Sequence, residues 1–161
     1  VSVTFKKSHE DSLFRQKVEE EERFNLGIQP QGSMSPQFEQ LHLFPPAKGI
    51  VVNKFGESYG HFGVDVAAVE GTRVSATMEG TVIFTGWTVE TGYVIQIQHP
   101  GSLVSIYKHN QKLLKTTGER VKAAEAIATV GNSGELTTGT HLHFELWYKG
   151  APVNPEDYIL F

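Results

Sequence analysis

Residues 80–109 read GTVIFTGWTVETGYVIQIQHPGSLVSIYKH. Three runs rich in β-branched and aromatic residues follow one another here, and segments of turn-forming residues separate them, which is typical of short β-strands. In YVIQIQH (residues 93–99) apolar residues alternate with Gln96 and Gln98, the period of a strand with one buried face. The stretch therefore predicts consecutive β-strands rather than helices.

The same pattern of apolar runs and glycines extends from Gly49 to the end of the chain and predicts a mostly β domain at residues 49–161, barrel-like or a sandwich. The preceding residues 1–48 differ. From Asp11 to about Phe24 the sequence is charged and lacks Gly and Pro, which predicts a short helix. Several Pro and Gly residues between Gly27 and Pro46 then predict an extended linker or arm.

Composition excludes several function classes. The chain has 161 residues and a net charge of −4, so it has no general electrostatic footprint for nucleic acid. It has no cysteine, which excludes disulfides and thiolate ligands. No stretch approaches the ~20 apolar residues of a membrane span. Because Val1 opens the chain without a signal-peptide pattern, we expect the natural protein to begin upstream, with any secretion signal or membrane anchor there.

The histidines are concentrated in the β half. Five of the seven lie there: His61, His99, His109, His141 and His143. In HFGVD (residues 61–65), His61 and Asp65 share one face if the segment is a strand. Gly63 between them is expected to leave that face clear for an ion or a substrate.

The segment HLHFE (residues 141–145) repeats this arrangement, because His141, His143 and Glu145 share the face opposite its apolar residues. Imidazole and carboxylate groups suit zinc, and a catalytic zinc keeps three protein ligands and one open position. The remaining polar groups can then move protons and stabilise an oxyanion. Spacing alone does not decide which of the two histidines would bind metal.

The two other histidines of the β half have different interpretations. His109 ends LVSIYKH in step with Tyr107, so strict alternation places both on the same face. His99 is followed by Pro100 and Gly101 and is interpreted as a turn residue.

Together, HFGVD, YKH (residues 107–109) and GNSGELTTGTHLHFELW (residues 131–147) resemble the signature of the lysostaphin-type zinc endopeptidases. These LytM-domain enzymes cut peptide cross-links in bacterial peptidoglycan. The resemblance runs from about Gly49 to Pro155 and implies a compact, mostly antiparallel β-sandwich or barrel-like peptidase domain. It also implies one Zn²⁺ ion and a location in the bacterial cell envelope, either periplasmic or secreted.

Carried over position by position, the resemblance implies that His61, Asp65 and His143 bind zinc. It implies that His109 and His141 act on the catalytic water and the tetrahedral intermediate. We expect Glu145 either to orient an imidazole or to be an exposed strand carboxylate. The implied partners are peptidoglycan peptide stems, with glycine bridges and D-alanyl–diaminopimelate links both possible, and we expect a monomer.

Two departures from the family pattern bear on substrate fit more than on the chemistry. Asn110 stands where the family commonly has Leu, and Thr140 stands where Pro is common. An aromatic side chain such as Tyr59 or Trp87 could line the groove, although packing in the core or on the surface is the simpler role for both.

Three functions remain open. The complete set of ligands and bases favours a peptidoglycan endopeptidase. The runner-up is a cell-wall-binding or amidase-activating module that binds without turnover. A zinc-binding structural domain comes third, because closed structural sites need four protein ligands. The segment 1–48 either packs over the groove and keeps an enzyme latent or spans the distance from a membrane anchor to the wall.

Overall fold

The computed structural model describes residues 43–132 and 139–161. These residues form ten β-strands and one 3₁₀ helix. The strands are β1 (Ile50–Asn53), β2 (Val64–Ala67), β3 (Arg73–Ser75), β4 (Gly80–Thr88), β5 (Gly92–His99), β6 (Leu103–Leu113), β7 (Arg120–Val121), β8 (Ala126–Val130), β9 (His141–Tyr148) and β10 (Ala151–Val153), and the helix covers Pro155–Asp157. The helix predicted from Asp11 to about Phe24 lies outside the described residues, as does most of the predicted arm.

All the strand pairings are antiparallel, and the strands form one open sheet. Its main path runs in the order β1-β2-β9-β6-β5-β4-β7, while β10 pairs with β9 and β8 pairs with both β6 and β3. The long strand β6 permits this branching, because its first part pairs with β9 and its last part pairs with β8. The predicted mostly antiparallel β fold is confirmed.

The two faces of strand β9 serve different purposes, as the alternation in its sequence predicts. Leu142, Phe144 and Leu146 are fully buried in the main hydrophobic core, which also contains side chains from β2, β3 and β8. Each such side chain contributes about 1.5–3 kcal/mol by leaving water. The opposite face of β9 carries His141, His143 and Glu145, so the apolar core fixes the plane from which these polar side chains project.

The residues just before β1 also belong to the folded unit. Leu43 and Ala47 are buried in the main core, and the backbone N–H of Phe44 donates to the carbonyl of Thr77. The domain boundary near residue 48 stays a prediction. A truncated protein that is meant to keep this packing should begin no later than Leu43.

Candidate metal centre and its groove

Cross-strand register places four polar side chains in one row across the sheet. Asn53 on β1 pairs with Asp65 on β2, Asp65 pairs with His143 on β9, and His143 pairs with Lys108 on β6. Residues directly opposite each other on neighbouring strands have their Cβ atoms about 5 Å apart and lie on the same face. Two sequence motifs 78 positions apart therefore meet at one point of the sheet.

His61, Asp65 and His143 form a group that can hold a metal ion. One ligand atom from each lies within 4.8 Å of the others. Asp65 is central, because its Oδ1 lies 2.7 Å from Nδ1 of His143 and its Oδ2 lies 3.2 Å from Nε2 of His61. Two imidazole nitrogens and one carboxylate are a donor set suited to zinc, and three ligands leave a position open for chemistry.

Hydrogen bonds identify the nitrogen that each of these imidazoles offers. Nδ1 of His61 donates to the carbonyl of Lys54 at 2.8 Å, so Nε2 is the nitrogen that faces Asp65. In His143, Nε2 donates to Glu145 at 2.9 Å, and Nδ1 points at Oδ1 of Asp65 at 2.7 Å, where a metal would take the place of the Nδ1 proton. Fixing the second nitrogen in this way sets the tautomer that presents the first to a metal.

Of the two histidines that spacing left undecided, His143 belongs to the group that can hold a metal ion. His141 pairs with Ala67, which lies two residues after Asp65 on β2. Nε2 of His141 lies 3.8 Å from Oδ1 of Asp65. Its Nδ1 donates to the carbonyl of Gly139 at 2.8 Å, so its Nε2 is the nitrogen available for proton transfer.

His109 reaches the same pocket through a β-bulge in β6. The register between β5 and β6 shifts between Tyr93 and Ile95, and His109 has a left-handed backbone with φ of 66°. Such a bulge reverses the side of the sheet to which the following side chain points. The prediction that His109 and Tyr107 share a face is therefore wrong. Tyr107 packs against Phe144 in the core, whereas the ring of His109 lies 5.1 Å from that of His141.

Asn110 holds this bulge in place. Its side chain is fully buried, and its Nδ2 donates to the carbonyls of both Tyr107 and Tyr93 at 3.0 Å. Its side chain bonds to the backbone on both sides of the bulge, and its effect on substrate fit stays a prediction.

The five predicted site residues line one pocket with a volume of about 150 Å³. They are His61, Asp65, His109, His141 and His143. Tyr59 and Glu90 lie among the other lining residues. Trp87 lies elsewhere, opposite Tyr93 in the β4–β5 hairpin, and is about half exposed.

Glu145 is buried rather than exposed, and it contacts His143 directly. Oε2 of Glu145 also lies 2.9 Å from Nζ of Lys108, and its Oε1 accepts a hydrogen bond from the indole nitrogen of Trp147 at 2.8 Å. Burial by itself would raise the pKa of Glu145, but the Lys108 charge and the hydrogen bond from His143 outweigh it and hold this pKa well below its usual range.

The pKa of Asp65 is also shifted. Burial would raise it, but hydrogen bonds from His143 and Asn53 and the charge of His143 hold the pKa of Asp65 well below its usual range. Burial would lower the pKa of His143, but hydrogen bonds to Asp65 and Glu145 raise it above its ordinary value. The pocket therefore contains a carboxylate that stays ionised and favours a cation beside it.

Sequence analysis missed three residues that support the site. Asn53 donates to Oδ2 of Asp65 at 2.9 Å, and Lys108 and Trp147 both contact Glu145. Trp147 was visible in the sequence as the next residue after Glu145 on the same face of β9, whereas Asn53 and Lys108 reach the site only through strand register.

Two further expectations need correction. A Cβ on Gly63 would lie 2.2 Å from the carbonyl oxygen of Phe144, so Gly63 permits close approach of the chain to β9 rather than access for an ion. His99 is buried at the end of β5, where its Nδ1 donates to the carbonyl of Glu79 at 2.7 Å and its Nε2 lies 2.7 Å from Oγ of Ser105. It belongs to an internal network rather than to a simple turn.

The fold and this group of side chains are those of a peptidase-like domain, and comparison with known proteins identifies its family. Residues 59–155 match Peptidase family M23, and the chain belongs to this family. The resemblance to the lysostaphin-type (LytM) enzymes is thereby confirmed.

Individual relatives include both activators and peptidases. The chain is 40% identical over 116 residues to the murein hydrolase activator NlpD of Escherichia coli, covering 71% of this chain and 30% of NlpD. It is 34% identical over 120 residues to the murein hydrolase activator EnvC of the same organism, covering 72% of this chain and 28% of EnvC. A zinc-containing peptidase from Vibrio cholerae superimposes with a TM-score of 0.64 at 30% identity, covering 70% of this chain and 37% of that one. The chain thus spans under a third of the two activators.

Proposed function

We propose that this domain is a zinc-dependent endopeptidase that hydrolyses peptide cross-links of bacterial peptidoglycan. The observation that carries the proposal is the grouping of His61, Asp65 and His143 within 4.8 Å in a pocket that also contains His109 and His141. A domain that used zinc only for its structure would have no need of the two additional imidazoles beside a three-ligand site.

The residues present fit this chemistry. Zinc bound by His61, Asp65 and His143 would polarise the scissile carbonyl and lower the pKa of a water. His141, whose Nδ1 is bonded to Gly139, offers Nε2 to accept a proton from the attacking water. His109 lies beside it and donates to the oxyanion that forms when the water adds to the carbonyl.

The setting of this activity follows from the relatives. Because murein hydrolase activators and peptidases are among the similar proteins, we place the domain in the bacterial cell envelope, where peptide stems of peptidoglycan are its partners. We propose that it acts as a monomer without nucleic acid. Among residues 43–132 and 139–161, no helix has the length and hydrophobicity needed to cross a membrane.

The second candidate is an activator of other wall hydrolases that binds without cleaving. The relationship to NlpD and EnvC, both named as activators, favours it. The two functions differ in one property that can be measured, because only an endopeptidase releases new muropeptides by itself.

The test is a digest of purified peptidoglycan, with the released muropeptides identified by mass spectrometry. We expect loss of cross-linked dimers, and we expect a zinc chelator to abolish it. The masses of the products would also identify the bond that is cut. A digest left unchanged both by the zinc-loaded full chain and by a zinc-loaded protein that begins at Leu43 would contradict the endopeptidase and favour the activator.

Two substitutions connect this activity to the proposed ligands. His61→Ala and Asp65→Ala each remove one of three ligands, so each should abolish both zinc retention and cleavage. Zinc content after dialysis and the muropeptide digest measure the two effects. Lys112→Ala, at an exposed position of β6, is the control that should keep both. Full activity in either ligand variant would contradict the assigned site.

A further inference from the structure

Three N–H donors converge on the carboxylate of Glu145. Nζ of Lys108 and Nε2 of His143 both lie 2.9 Å from Oε2, and the indole Nε1 of Trp147 donates to Oε1 at 2.8 Å. The sheet produces this convergence, because Lys108 pairs with His143 across β6 and β9 while Glu145 and Trp147 follow His143 on the same face of β9.

The chemistry of these groups decides where the proton of His143 lies. An ionised carboxylate only accepts hydrogen bonds, whereas an ammonium group and an indole nitrogen only donate them. Lys108 and Trp147 therefore fix the orientation of both oxygens of Glu145. A lone pair on Nε2 of His143 would face a lone pair of Oε2, so this nitrogen carries a proton. The same argument gives Nδ1 a proton toward Oδ1 of Asp65 in the metal-free protein, and a metal would replace only the proton on Nδ1.

We propose that Lys108 and Trp147 are positioning residues, which hold Glu145 so that His143 keeps its proton on Nε2 and offers Nδ1 to the metal. This inference rests on the proposed zinc site and adds two residues to its support. It explains why a lysine occupies the middle position of the YKH segment, where its side chain is buried against Glu145 rather than exposed to solvent.

A purely structural role for the Lys108–Glu145 pair is the competing explanation. The two side chains are only 7% and 6% exposed, and taking two charges out of water costs free energy that their attraction offsets only in part. Removing either partner would then destabilise the fold in any case. The decisive experiment must therefore measure the proton of His143 and the affinity for zinc rather than stability.

The first measurement is an NMR experiment on ¹⁵N-labelled wild-type protein that correlates the imidazole nitrogens of His143 with their protons. We expect a proton on Nε2 that exchanges slowly with water, both in the zinc-free protein and after zinc is added. A wild-type spectrum with the proton on Nδ1 alone would overturn the proposal. Because this measurement uses only the wild-type protein, it does not depend on whether any variant folds.

The second measurement is zinc affinity, by competition with a chromophoric chelator. Lys108→Met, Trp147→Phe and Glu145→Gln should each bind zinc 10–100-fold more weakly, the loss typical when a group that orients a ligand is removed. The amide in Glu145→Gln places an NH₂ group against one of the three donors, so it cannot replace the carboxylate. Lys112→Met, on the exposed part of the same strand, should stay within twofold of wild type.

Lys108→Arg tests the positioning role further. Because arginine keeps a cationic donor, it should recover most of the zinc affinity and the slow exchange at Nε2 that Lys108→Met loses. Folded Lys108→Met and Trp147→Phe variants with wild-type zinc affinity and wild-type exchange would overturn the proposal. A wild-type protein that fails to bind zinc or to cleave peptidoglycan would contradict the proposed function instead, while the zinc-free spectrum still decides where the proton lies.

Discussion

Each of three imidazoles in the pocket has one nitrogen that donates to an oxygen outside the group of His61, Asp65 and His143. Nδ1 of His61 and Nδ1 of His141 donate to backbone carbonyls, and Nε2 of His143 donates to Glu145. A carbonyl accepts but cannot donate, so the backbone conformation around Lys54 and Gly139 determines which nitrogen faces the pocket. The chemistry of each ring is therefore set by a neighbouring hydrogen bond, and residue type alone does not specify it.

Gly63 is a single position on which the site depends without any side chain. In Gly63→Ala, the new Cβ would lie 2.2 Å from the carbonyl oxygen of Phe144 and 2.9 Å from Cγ of Glu145. The start of β2 must then move away from β9, and we expect a loss of about 1–3 kcal/mol in the free energy of unfolding together with weaker zinc binding. Urea unfolding and zinc competition measure the two effects.

The control for this change is Gly101→Ala. Gly101 has φ of 82° but open space around the position of a Cβ, so alanine there adds only backbone strain. It should leave zinc affinity unchanged. If Gly63→Ala also leaves zinc affinity unchanged, the close approach to Phe144 does not support the metal-binding group.

Strand β6 shows how an irregularity within one element brings the side chain of His109 to the pocket. Its bulge takes His109 off the core face that Tyr107 occupies, and the left-handed backbone at His109 requires support from its surroundings. That support comes from hydrogen bonds: the N–H of His109 donates to Thr91, and Asn110 bonds across the bulge. The conformation of a single strand thus links the pocket to the β4–β5 hairpin.

Asn110→Ala tests this role of the bulge. It removes two buried hydrogen bonds, each contributing about 1 kcal/mol, so we expect about 2 kcal/mol of destabilisation. Because a displacement of about 1 Å in a catalytic group can lower a rate by about 100-fold, cleavage should fall strongly while zinc affinity stays near that of wild type. Urea unfolding, muropeptide release and zinc competition are the three measurements.

Gln111→Ala, at the adjacent exposed position, is the matched control and should behave like wild type. A loss of zinc affinity in Asn110→Ala would show that the bulge supports the metal-binding group as well as His109.

At the scale of the whole molecule, sequence patterns predicted the strands and their faces but not how the strands meet. Alternation in HLHFE correctly separated Leu142 and Phe144 from the polar face, because burial of one face imposes a period of two. The same rule assigned His109 to the wrong face of the sheet, because a bulge adds one residue to the strand and interrupts the alternation. Asn53 and Lys108 could not be assigned to the site, since pairing between distant strands is a property of the folded sheet.

The network around His99 connects parts of the molecule that are distant in sequence, and it should make global stability depend on pH. His99 contacts the carbonyl of Glu79 and Oγ of Ser105, and Ser105 contacts the Tyr107 hydroxyl, which accepts a hydrogen bond from the N–H of Thr77. Burial lowers the pKa of His99 from 6.5 to about 4, with hydrogen bonds to backbone opposing this only in part. The folded protein therefore keeps this imidazole neutral at pH values where the unfolded chain protonates it.

The sign of the pH effect follows from this difference. Between pH 6.5 and pH 4 the unfolded state binds the additional proton, so the free energy of unfolding falls as the pH falls, by about 2 kcal/mol between pH 7 and pH 4.5 from His99 alone. His99→Gln has no such proton to bind, and its stability should decrease less over the same interval, although it starts from a lower value at pH 7 because the buried network is altered. Urea unfolding of both proteins at the two pH values isolates the effect, since the two proteins differ only at residue 99. An equal decrease in the two proteins would mean that His99 takes up its proton in the folded state, and that the buried network tolerates a charge.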